Sequence, residues 1–302
     1  MRRRDRFVRP RRRSFSDRER IVATVTSAIV LRDGRRLAYR RYGPTDGAPL
    51  LFMPGAGCGR LMTFGGAALA DHQIQLISVD RPGLGASSPD PLKTFDSIAD
   101  DVAALIEEVV GRPVPVVANS QGAPFGLALA TTGWASALVL VSPIDDVGYP
   151  PITALLPEDY RSLVAAVARD PYTALERLAT YTPGALFETV MSDYPPSDEA
   201  VYGRPQFQTQ LRAALDDGFA SGATGYARDT VLAMSAWPAK LFDPGVDVRI
   251  LFGADDRVHS TDLGATLADR IRGAHRDVID GVGGALLWAL PDLVLARAVA
   301  TD

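Results

Sequence analysis

The stretch V-P-V-V-A-N-S-Q-G at residues 114–122 limits the fold of this chain more than any other feature. An apolar run ends there and a run of helix-forming residues starts at Ala123, so the sequence predicts a buried strand that enters a helix through one tight turn. The turn holds Ser120 in a strained conformation, and only small residues fit two positions away, where Ala118 and Gly122 lie. This interpretation predicts a serine hydroxyl that points outward, although an ordinary strand–helix turn with a glycine is an alternative.

Two further turn motifs follow apolar runs earlier in the chain. P-G-A-G-C-G at residues 54–59 follows a strand predicted over residues 49–53, and D-R-P-G-L-G-A-S at residues 80–87 follows one predicted over Ile74–Val79. A glycine-rich loop after a buried strand can hold a phosphate, so a dinucleotide site has to be considered. The G-x-G-x-G spacing and the lack of a free acid after the next strand argue against that site.

Together these motifs resemble one known family. A strand, the P-G-A-G loop, a helix, a strand, D-R-P-G-x-G-x-S, a helix, a strand and A-N-S-Q-G follow in the order typical of the α/β-hydrolase family, over nearly the whole chain. The resemblance implies an α/β fold in which helices flank a mostly parallel sheet and a helical cap is inserted. It also implies a nucleophile elbow at Ser120 and an oxyanion hole formed by the backbone N–H groups of Ala56 and Gln121. No cofactor and no metal are expected.

Other patterns indicate the remaining elements of such a fold. The β-prone runs at residues 21–31 and Arg36–Tyr42 flank Asp33 and Gly34, a strong hairpin signal, so an antiparallel hairpin is predicted at the sheet edge. Further predictions are a helix over about residues 94–110, strands at 137–141, 248–252 and 278–279, a helix capped by Ser260, and a terminal helix at 291–300.

Residues 143–244 differ from the rest of the chain, because they contain helical runs interrupted by Pro and Gly and no good strand. The family resemblance implies that this segment, called the helical insertion below, is a cap that covers the site and excludes water. The core is then predicted to consist of residues 21–142 and 245–302. Aromatic residues of the insertion such as Trp237 could line an apolar pocket, but we expect most of them in the insertion's own core. The helical runs lie at residues 160–168, 172–180, 208–219 and 230–236.

The catalytic acid can be assigned from the resemblance, whereas the usual base is absent. The family's acid lies three residues after the glycine that ends a strand, here Gly253, which selects Asp256 with Asp255 as the near alternative. The family's histidine follows a glycine in the loop after the last strand, where this chain has Gly283 and Gly284. Loss of the base costs on the order of 10⁶ in kcat, so a fast serine hydrolase needs another base here. Gly284→His should raise the activity if the rest of the site is dormant but intact.

The chain has three histidines, so each can be considered as that base. His72 and His275 precede predicted strands, which places them opposite the carboxyl ends of the strands, where sites form on such sheets. His259 remains, three residues after Asp256. If its loop leans inward, His259 would take the proton of Ser120 and be oriented by the nearby acid. The alternative is that His259 only precedes a helix cap and binds water.

The single cysteine, Cys58, excludes an intramolecular disulfide and suits a reducing compartment, so a cytoplasmic location is predicted. Cys58 lies in the P-G-A-G-C-G loop. A thiol nucleophile is conceivable there, but no base neighbours it in sequence, and we expect an inert small residue.

Charge is unevenly distributed along the chain. Ten arginines give residues 1–20 a net charge of +7, and the whole chain carries −4, so the rest of the chain is acidic at −11. Such a tail cannot bury apolar surface, and we expect it to be disordered. A twin-arginine export signal and a nucleic-acid-binding arm are the alternatives, but the acidic body argues against a nucleic-acid partner. No apolar run is long enough to span a bilayer, so no membrane partner is expected.

Two functions follow from these observations. The first is hydrolysis of a small carboxylic ester, thioester or lactone through Ser120 with a displaced base, and the expected partner is then a small-molecule substrate. The second is a family member without acyl chemistry, in which a cyclisation, a lyase-type step or binding uses Ser120 and Asp256 as polar anchors. The retained elbow, oxyanion loop and acid favour the first. The sequence leaves the oligomeric state open.

Overall fold

The computed structural model describes residues 26–192 and 194–300. The Arg-rich tail at residues 1–20 and the first part of the strand predicted over residues 21–31 lie outside the described residues.

One eight-stranded sheet forms the centre of the molecule, in the order β1-β2-β4-β3-β5-β6-β7-β8. Strand β2 pairs antiparallel with β1 and β4, and the pairings from β4 across to β8 are parallel. The carboxyl ends of the parallel strands therefore meet at one edge, where a site can form. The strands are β1 Thr26–Val30, β2 Arg36–Tyr42, β3 Ala48–Met53, β4 Ile74–Val79, β5 Val114–Ser120, β6 Ala135–Pro143, β7 Val248–Gly253 and β8 His275–Ile279.

The edge hairpin predicted from Asp33 and Gly34 is confirmed. Strands β1 and β2 pair in a register that sets Val30 opposite Arg36. Gly34 has a φ of +85°, in the left-handed region that a glycine adopts at little cost. The Leu31 N–H donates to the Arg35 carbonyl at 2.8 Å and closes the turn.

Helices cover both faces of the sheet, because successive side chains of a buried strand point to opposite faces. In β3, Leu51 and Met53 belong to the apolar cluster that contains α2 and α3, whereas Leu50 and Phe52 belong to the cluster that contains α12 and α13. The helices outside the insertion are α1 Ala68–Asp71, α2 Phe95–Val109, α3 Ala123–Ala130, α11 Ala265–Arg270, α12 Leu286–Ala289 and α13 Pro291–Val299.

Between β6 and β7 the described chain contains helices and no strand. The four predicted runs correspond to α5, α6, α9 and α10, but α10 begins six residues before the predicted residue 230. Gly225 near its start looks like a helix breaker in sequence. In the fold it allows a close approach, since a Cβ there would lie 2.1 Å from the Gly83 carbonyl oxygen. The insertion helices are α4 Pro150–Thr153, α5 Glu158–Arg169, α6 Pro171–Leu178, α7 Pro183–Met191, α8 Glu199–Tyr202, α9 Pro205–Gly218 and α10 Thr224–Met234.

Ion pairs of Arg60 connect the helical insertion with the sheet. Arg60, in the loop after β3, donates to both carboxylate oxygens of Asp217 in α9 at 2.7 and 3.0 Å. The same guanidinium pairs with the fully buried Asp80 at the end of β4. A residue of the core thus connects a strand end with an insertion helix. In residues 26–192 and 194–300, no helix combines the length and the apolar character needed to cross a membrane.

The predicted role of Ser260 as the cap of the following helix is wrong. Helix α11 begins at Ala265, and the Asp262 carboxylate accepts from the backbone N–H groups of Ala265 and Thr266 at 3.0 and 2.9 Å. Ser260 Oγ instead accepts from the Gly264 N–H at 2.8 Å and closes the turn before the helix. The residue directly before the helix is Gly264, which has no side chain, so the carboxylate of Asp262 satisfies the first N–H groups instead of Ser260.

A buried carboxyl group follows strand β6. Asp145 is 1% exposed, and in the described part of the chain neither of its carboxylate oxygens has a hydrogen-bond partner of normal geometry, although Ser260 and Thr261 are close. Burial raises the pKa of Asp145 to about 6, and the nearby Asp262 carboxylate acts in the same direction. The folded protein therefore binds this proton more tightly than the unfolded chain does.

Asp145→Asn is expected to stabilise the protein at pH 8 by about 1–3 kcal/mol, since a pKa shift of one unit corresponds to about 1.4 kcal/mol. The raised pKa means that the ionised carboxylate destabilises the fold above pH 6, and that this cost disappears as the pH falls towards the ordinary value. Urea unfolding at pH 8 and pH 4 measures the effect. Asp170→Asn is the control: hydrogen bonds from Thr173 hold the pKa of Asp170 below its ordinary value, so this substitution should not stabilise the protein at pH 8. Equal stabilisation by Asp145→Asn at both pH values would contradict the argument.

Candidate active site

Ser120 ends strand β5 in the tight turn that the sequence predicts. Its φ is +52°, in the left-handed region that residues other than glycine rarely adopt, at a cost of about 1–3 kcal/mol. Gly122 is required, because a Cβ there would lie 2.3 Å from the Met53 carbonyl oxygen. The Gly122 N–H donates to the Asn119 carbonyl at 2.8 Å and closes the turn. Ser120 is partly exposed and lines a cavity at the carboxyl edge of the sheet.

A close approach of helix α3 explains the alanine two residues before Ser120. A Cβ on Gly126 of α3 would lie 2.8 Å from the Ala118 Cβ. Helix and strand therefore need small residues at both positions. Ala118 meets this need, so the turn forms without the first glycine of the family's motif.

The loop after β3 lies against the elbow. A Cβ on Gly55 would lie 3.3 Å from the Ser120 Cβ, and the next residue, Ala56, lines the same cavity as Ser120. Gln121 follows Ser120 in the turn. Within the described residues, the N–H groups of Ala56 and Gln121 have no backbone or side-chain acceptor. Two free donors are thus found in the segments to which the family resemblance assigns the oxyanion hole.

The loop after β7 brings His259 against Asp256. His259 Nδ1 lies 3.1 and 3.0 Å from the Oδ1 and Oδ2 atoms of Asp256, and Oδ1 also accepts from the N–H groups of Val258 and His259. Asp255, the alternative acid, makes no hydrogen bond to the imidazole, and its N–H donates to the Val282 carbonyl. The contact to Asp256 occupies Nδ1 and leaves Nε2 of His259 for other partners.

Burial and charge shift the pKa values of this pair in opposite directions. Burial opposes ionisation of Asp256, but His259 and the two backbone N–H groups outweigh it and lower the pKa of Asp256 to about 2. Burial likewise disfavours a charged His259, but the Asp256 carboxylate, with Asp198 further away, raises the pKa of His259 above its ordinary value. An ionised acid beside a titrating imidazole is the arrangement that a general base needs.

His259 occupies the space beside Gly284. A Cβ on Gly284 would lie 3.0 Å from Cε1 and 3.2 Å from Nδ1 of His259, and 3.6 Å from an Asp256 oxygen. Strands β7 and β8 are adjacent and parallel, so the loops that follow them lie side by side. The family resemblance puts a histidine at residue 284. His259, which comes from the neighbouring loop, lies directly beside that position. It lines the same cavity as Ser120.

The other two histidines lie far from this cavity. His72 comes just before β4, and its Nε2 lies 3.0 Å from an Asp292 oxygen. His275 begins β8 and is exposed. Both are at the amino ends of parallel strands, as predicted, and neither lines the cavity.

Asp198 of the helical insertion is a site residue that the sequence did not suggest. It is 1% exposed, lines the cavity, and accepts from the N–H groups of Gly283 and Ala285 at 2.7 and 3.1 Å. Burial raises the pKa of Asp198. In sequence it reads as an ordinary residue at the start of a short helix, and only the fold brings it to the loop after β8.

The cavity has a volume of about 120 Å³ and a mostly apolar wall. Tyr202, Phe207 and Trp288 form a chain of ring contacts with centroids 5.1 Å apart. Cys58 also lines the cavity, and burial raises the pKa of its thiol to about 12, so it stays protonated at neutral pH. Trp237 is buried in the apolar cluster around α2 and α3 and does not line the cavity.

Comparison with known proteins gives a consistent result. A family model described as the alpha/beta hydrolase family matches residues 50–297. No curated protein matches the chain significantly. Among solved structures, the chain is similar to a hydrolase from Pseudomonas aeruginosa PA01, with 20% identity, 91% of this chain and 98% of that chain covered, and a TM-score of 0.66.

Two further similar structures are enzymes with a stated activity. The enol-lactonase from Burkholderia xenovorans LB400 is 19% identical, with 90% of this chain and 98% of that chain covered and a TM-score of 0.66. The esterase from Exiguobacterium antarcticum is 17% identical, with 91% and 98% covered and a TM-score of 0.66. At these identities the likeness shows the fold alone.

Proposed function

Because the chain belongs to the alpha/beta hydrolase family, we propose that it hydrolyses a small carboxylic ester, thioester or lactone, with Ser120 as nucleophile, His259 as general base and Asp256 as the acid that orients it. One observation carries the proposal. His259, held by Asp256 through Nδ1, fills the space beside Gly284 and shares a cavity with Ser120. The base that is missing from the loop after β8 is thus supplied by the loop after β7.

The proposed reaction proceeds through an acyl-enzyme. Nε2 of His259 takes the proton of Ser120 while Oγ attacks the substrate carbonyl carbon. The N–H groups of Ala56 and Gln121 donate hydrogen bonds to the carbonyl oxygen as negative charge develops on it. Collapse of the tetrahedral intermediate expels the alcohol or thiol, which receives the proton from His259. Water then attacks the acyl-enzyme, His259 again takes and returns a proton, and the carboxylic acid leaves.

The cavity favours a short, uncharged acyl group. Its inner wall is formed by Met62, Phe207, Leu211 and other apolar side chains, which cannot compensate a buried charge. Arg257 lies at the exposed end of the cavity, so a charged part of a substrate would have to face outward. The similar esterase and enol-lactonase support ester and lactone bonds as substrates. A small-molecule partner and a cytoplasmic location belong to the same proposal.

The proposal can be tested with a fluorophosphonate probe and a panel of p-nitrophenyl esters from acetate to dodecanoate. We expect the probe to label the protein once, at Ser120, as mapped by peptide mass spectrometry. Turnover should be faster for short acyl chains than for long ones. Absence of both labelling and turnover would overturn the proposal and favour binding, cyclisation or a lyase-type step.

A pH dependence follows from the raised pKa of His259. The base must be neutral to accept the Ser120 proton, so kcat/KM should rise with pH through an apparent pKa above the ordinary 6.5. Asp198→Asn removes one carboxylate that favours the imidazolium, so the rise in kcat/KM, called the acidic limb below, should occur at lower pH. The measurement is kcat/KM from pH 5 to pH 9. Asp292→Asn is the control, because Asp292 lies beside His72, and the acidic limb should keep its pH. A limb near pH 4 would exclude His259 as the titrating base.

A further inference from the structure

A buried ion cluster lies behind the loop that contains Ala56. It consists of Arg81, Lys93 and Asp229, whose side chains are fully buried. Arg81 Nε donates to one Asp229 oxygen at 2.8 Å, and Lys93 Nζ donates to the other at 2.5 Å. Burial of three charges costs free energy that apolar residues of similar size would not. A contribution to stability therefore does not explain why these three charges are buried together. The other hydrogen bonds of Arg81 suggest a different role.

Arg81 also holds the backbone of the loop after β3. Its Nη1 donates to the Pro54 carbonyl at 2.5 Å, and its Nη2 donates to the Gly55 carbonyl at 3.1 Å. In a trans peptide the C=O and the following N–H point in opposite directions, and the described chain contains no cis peptide. Because the Gly55 carbonyl points to Arg81, the Ala56 N–H must point away from Arg81.

Besides Arg81, only one long hydrogen bond among the described residues holds this peptide, from the Cys58 N–H to the Gly55 carbonyl at 3.4 Å. Gly55 and Gly57 flank Ala56, and glycine allows peptide rotations that other residues restrict. Gly57 has a φ of +65°, a conformation that few other residues adopt. Two hydrogen bonds from one guanidinium fix two successive carbonyl groups, which a lysine ammonium matches poorly because it lacks the rigid fork of donors.

Helix α10 of the insertion supports both segments of the proposed oxyanion hole, the loop after β3 through Arg81 and the elbow directly. Asp229 holds Arg81, and the next residue, Thr230, accepts a hydrogen bond from the Gln121 side chain at 3.1 Å. The helix is docked on the core where Gly225 touches Gly83. One turn of one insertion helix therefore supports both residues whose N–H groups are the free donors beside Ser120.

We propose that Arg81, held by Asp229, is a positioning residue that directs the Ala56 N–H towards the oxyanion formed in the transition state. The inference rests on the proposed function, since it requires acyl transfer at Ser120. With this role for Arg81, helix α10 supports catalysis in addition to forming part of the helical insertion. Arg81 stabilises the tetrahedral intermediate through the loop and does not touch the substrate.

Arg81→Lys tests the inference, because it keeps a cation beside Asp229 and removes the paired carbonyl contacts. We expect kcat for p-nitrophenyl acetate to fall about 100-fold with KM changed less than threefold, the size of effect typical of losing one oxyanion donor. Affinity for a boronic acid, which forms a tetrahedral adduct with the serine, should fall in parallel. Lys93→Met is the matched control: Lys93 pairs with the same carboxylate but touches neither carbonyl, so kcat should change less than threefold even if the melting temperature drops.

Equal losses of kcat in Arg81→Lys and Lys93→Met, or a loss confined to KM, would overturn the inference. If Arg81→Lys does not fold, the double variant Asp229→Asn/Lys93→Met removes one charge of each sign and leaves Arg81 without its carboxylate. We expect at least a tenfold loss of kcat there, and an unchanged kcat in the folded double variant would contradict the role of Arg81. A wild type with neither turnover nor labelling at Ser120 refutes the proposed function instead, so the two failures are distinguishable.

Discussion

Replacement of Ser120 by alanine is expected to lower kcat for p-nitrophenyl acetate by a factor on the order of 10⁶ and to abolish fluorophosphonate labelling. The alanine keeps the strained turn, which depends on Gly122 and not on the hydroxyl, so the fold should persist. Only the atom that would form the acyl bond is lost. Residual turnover would come from substrate binding and the oxyanion donors.

Ser142→Ala is the matched control for this variant. Ser142 lies near the end of the adjacent strand β6, also has a positive φ, at +42°, and is fully buried. Its Oγ has no hydrogen-bond partner among the described residues, and it does not line the cavity. We expect kcat to change less than threefold in this variant. Labelling that persists in Ser120→Ala, or that is lost in Ser142→Ala, would show that the elbow serine is not the nucleophile.

Replacement of His259 by alanine is expected to lower kcat by a similar factor, on the order of 10⁶, because the serine hydroxyl loses its proton acceptor while the acid remains. Labelling by the fluorophosphonate should slow in proportion, since it needs the same activated oxygen. His72→Ala is the control, because His72 also lies 3.0 Å from an aspartate but at the opposite edge of the sheet. A His259→Ala variant that still labels at the wild-type rate would mean that another group activates Ser120.

The position of His259 also reverses the expectation for Gly284→His. A side chain at residue 284 would meet the imidazole at 3.0 Å, so the single substitution should lower the activity by displacing His259. In the double variant His259→Ala/Gly284→His the space is free, and an Asp256 oxygen lies 3.6 Å from the Cβ position of residue 284. We expect this double variant to recover at least tenfold of the activity lost in His259→Ala. Higher activity in Gly284→His alone would indicate that His259 does not contribute to the reaction.

Much of the fold could be predicted because local patterns decide it. Strands β2 and β4 have the predicted bounds, and helix α2 begins after Thr94, whose side chain forms a capping box with Ser97. The insertion was harder to predict. Helix α7 begins at a proline that reads as a breaker, although Thr182 caps it and proline suits a first turn.

By itself, the sequence determined the elbow, since the steric limits on residues 118–122 are local and only small residues satisfy them. It also determined the order of the eight strands along the chain, because their apolar periods and turn residues lie within short windows. The sequence singled out His259 and Asp256 as candidates, but only the tertiary structure decided that His259 stands beside Gly284 and that Asp198 contacts the same loop. The reason is physical: those contacts join loops and an insertion far apart in the chain, and they depend on how adjacent strands and a docked helix are placed in space.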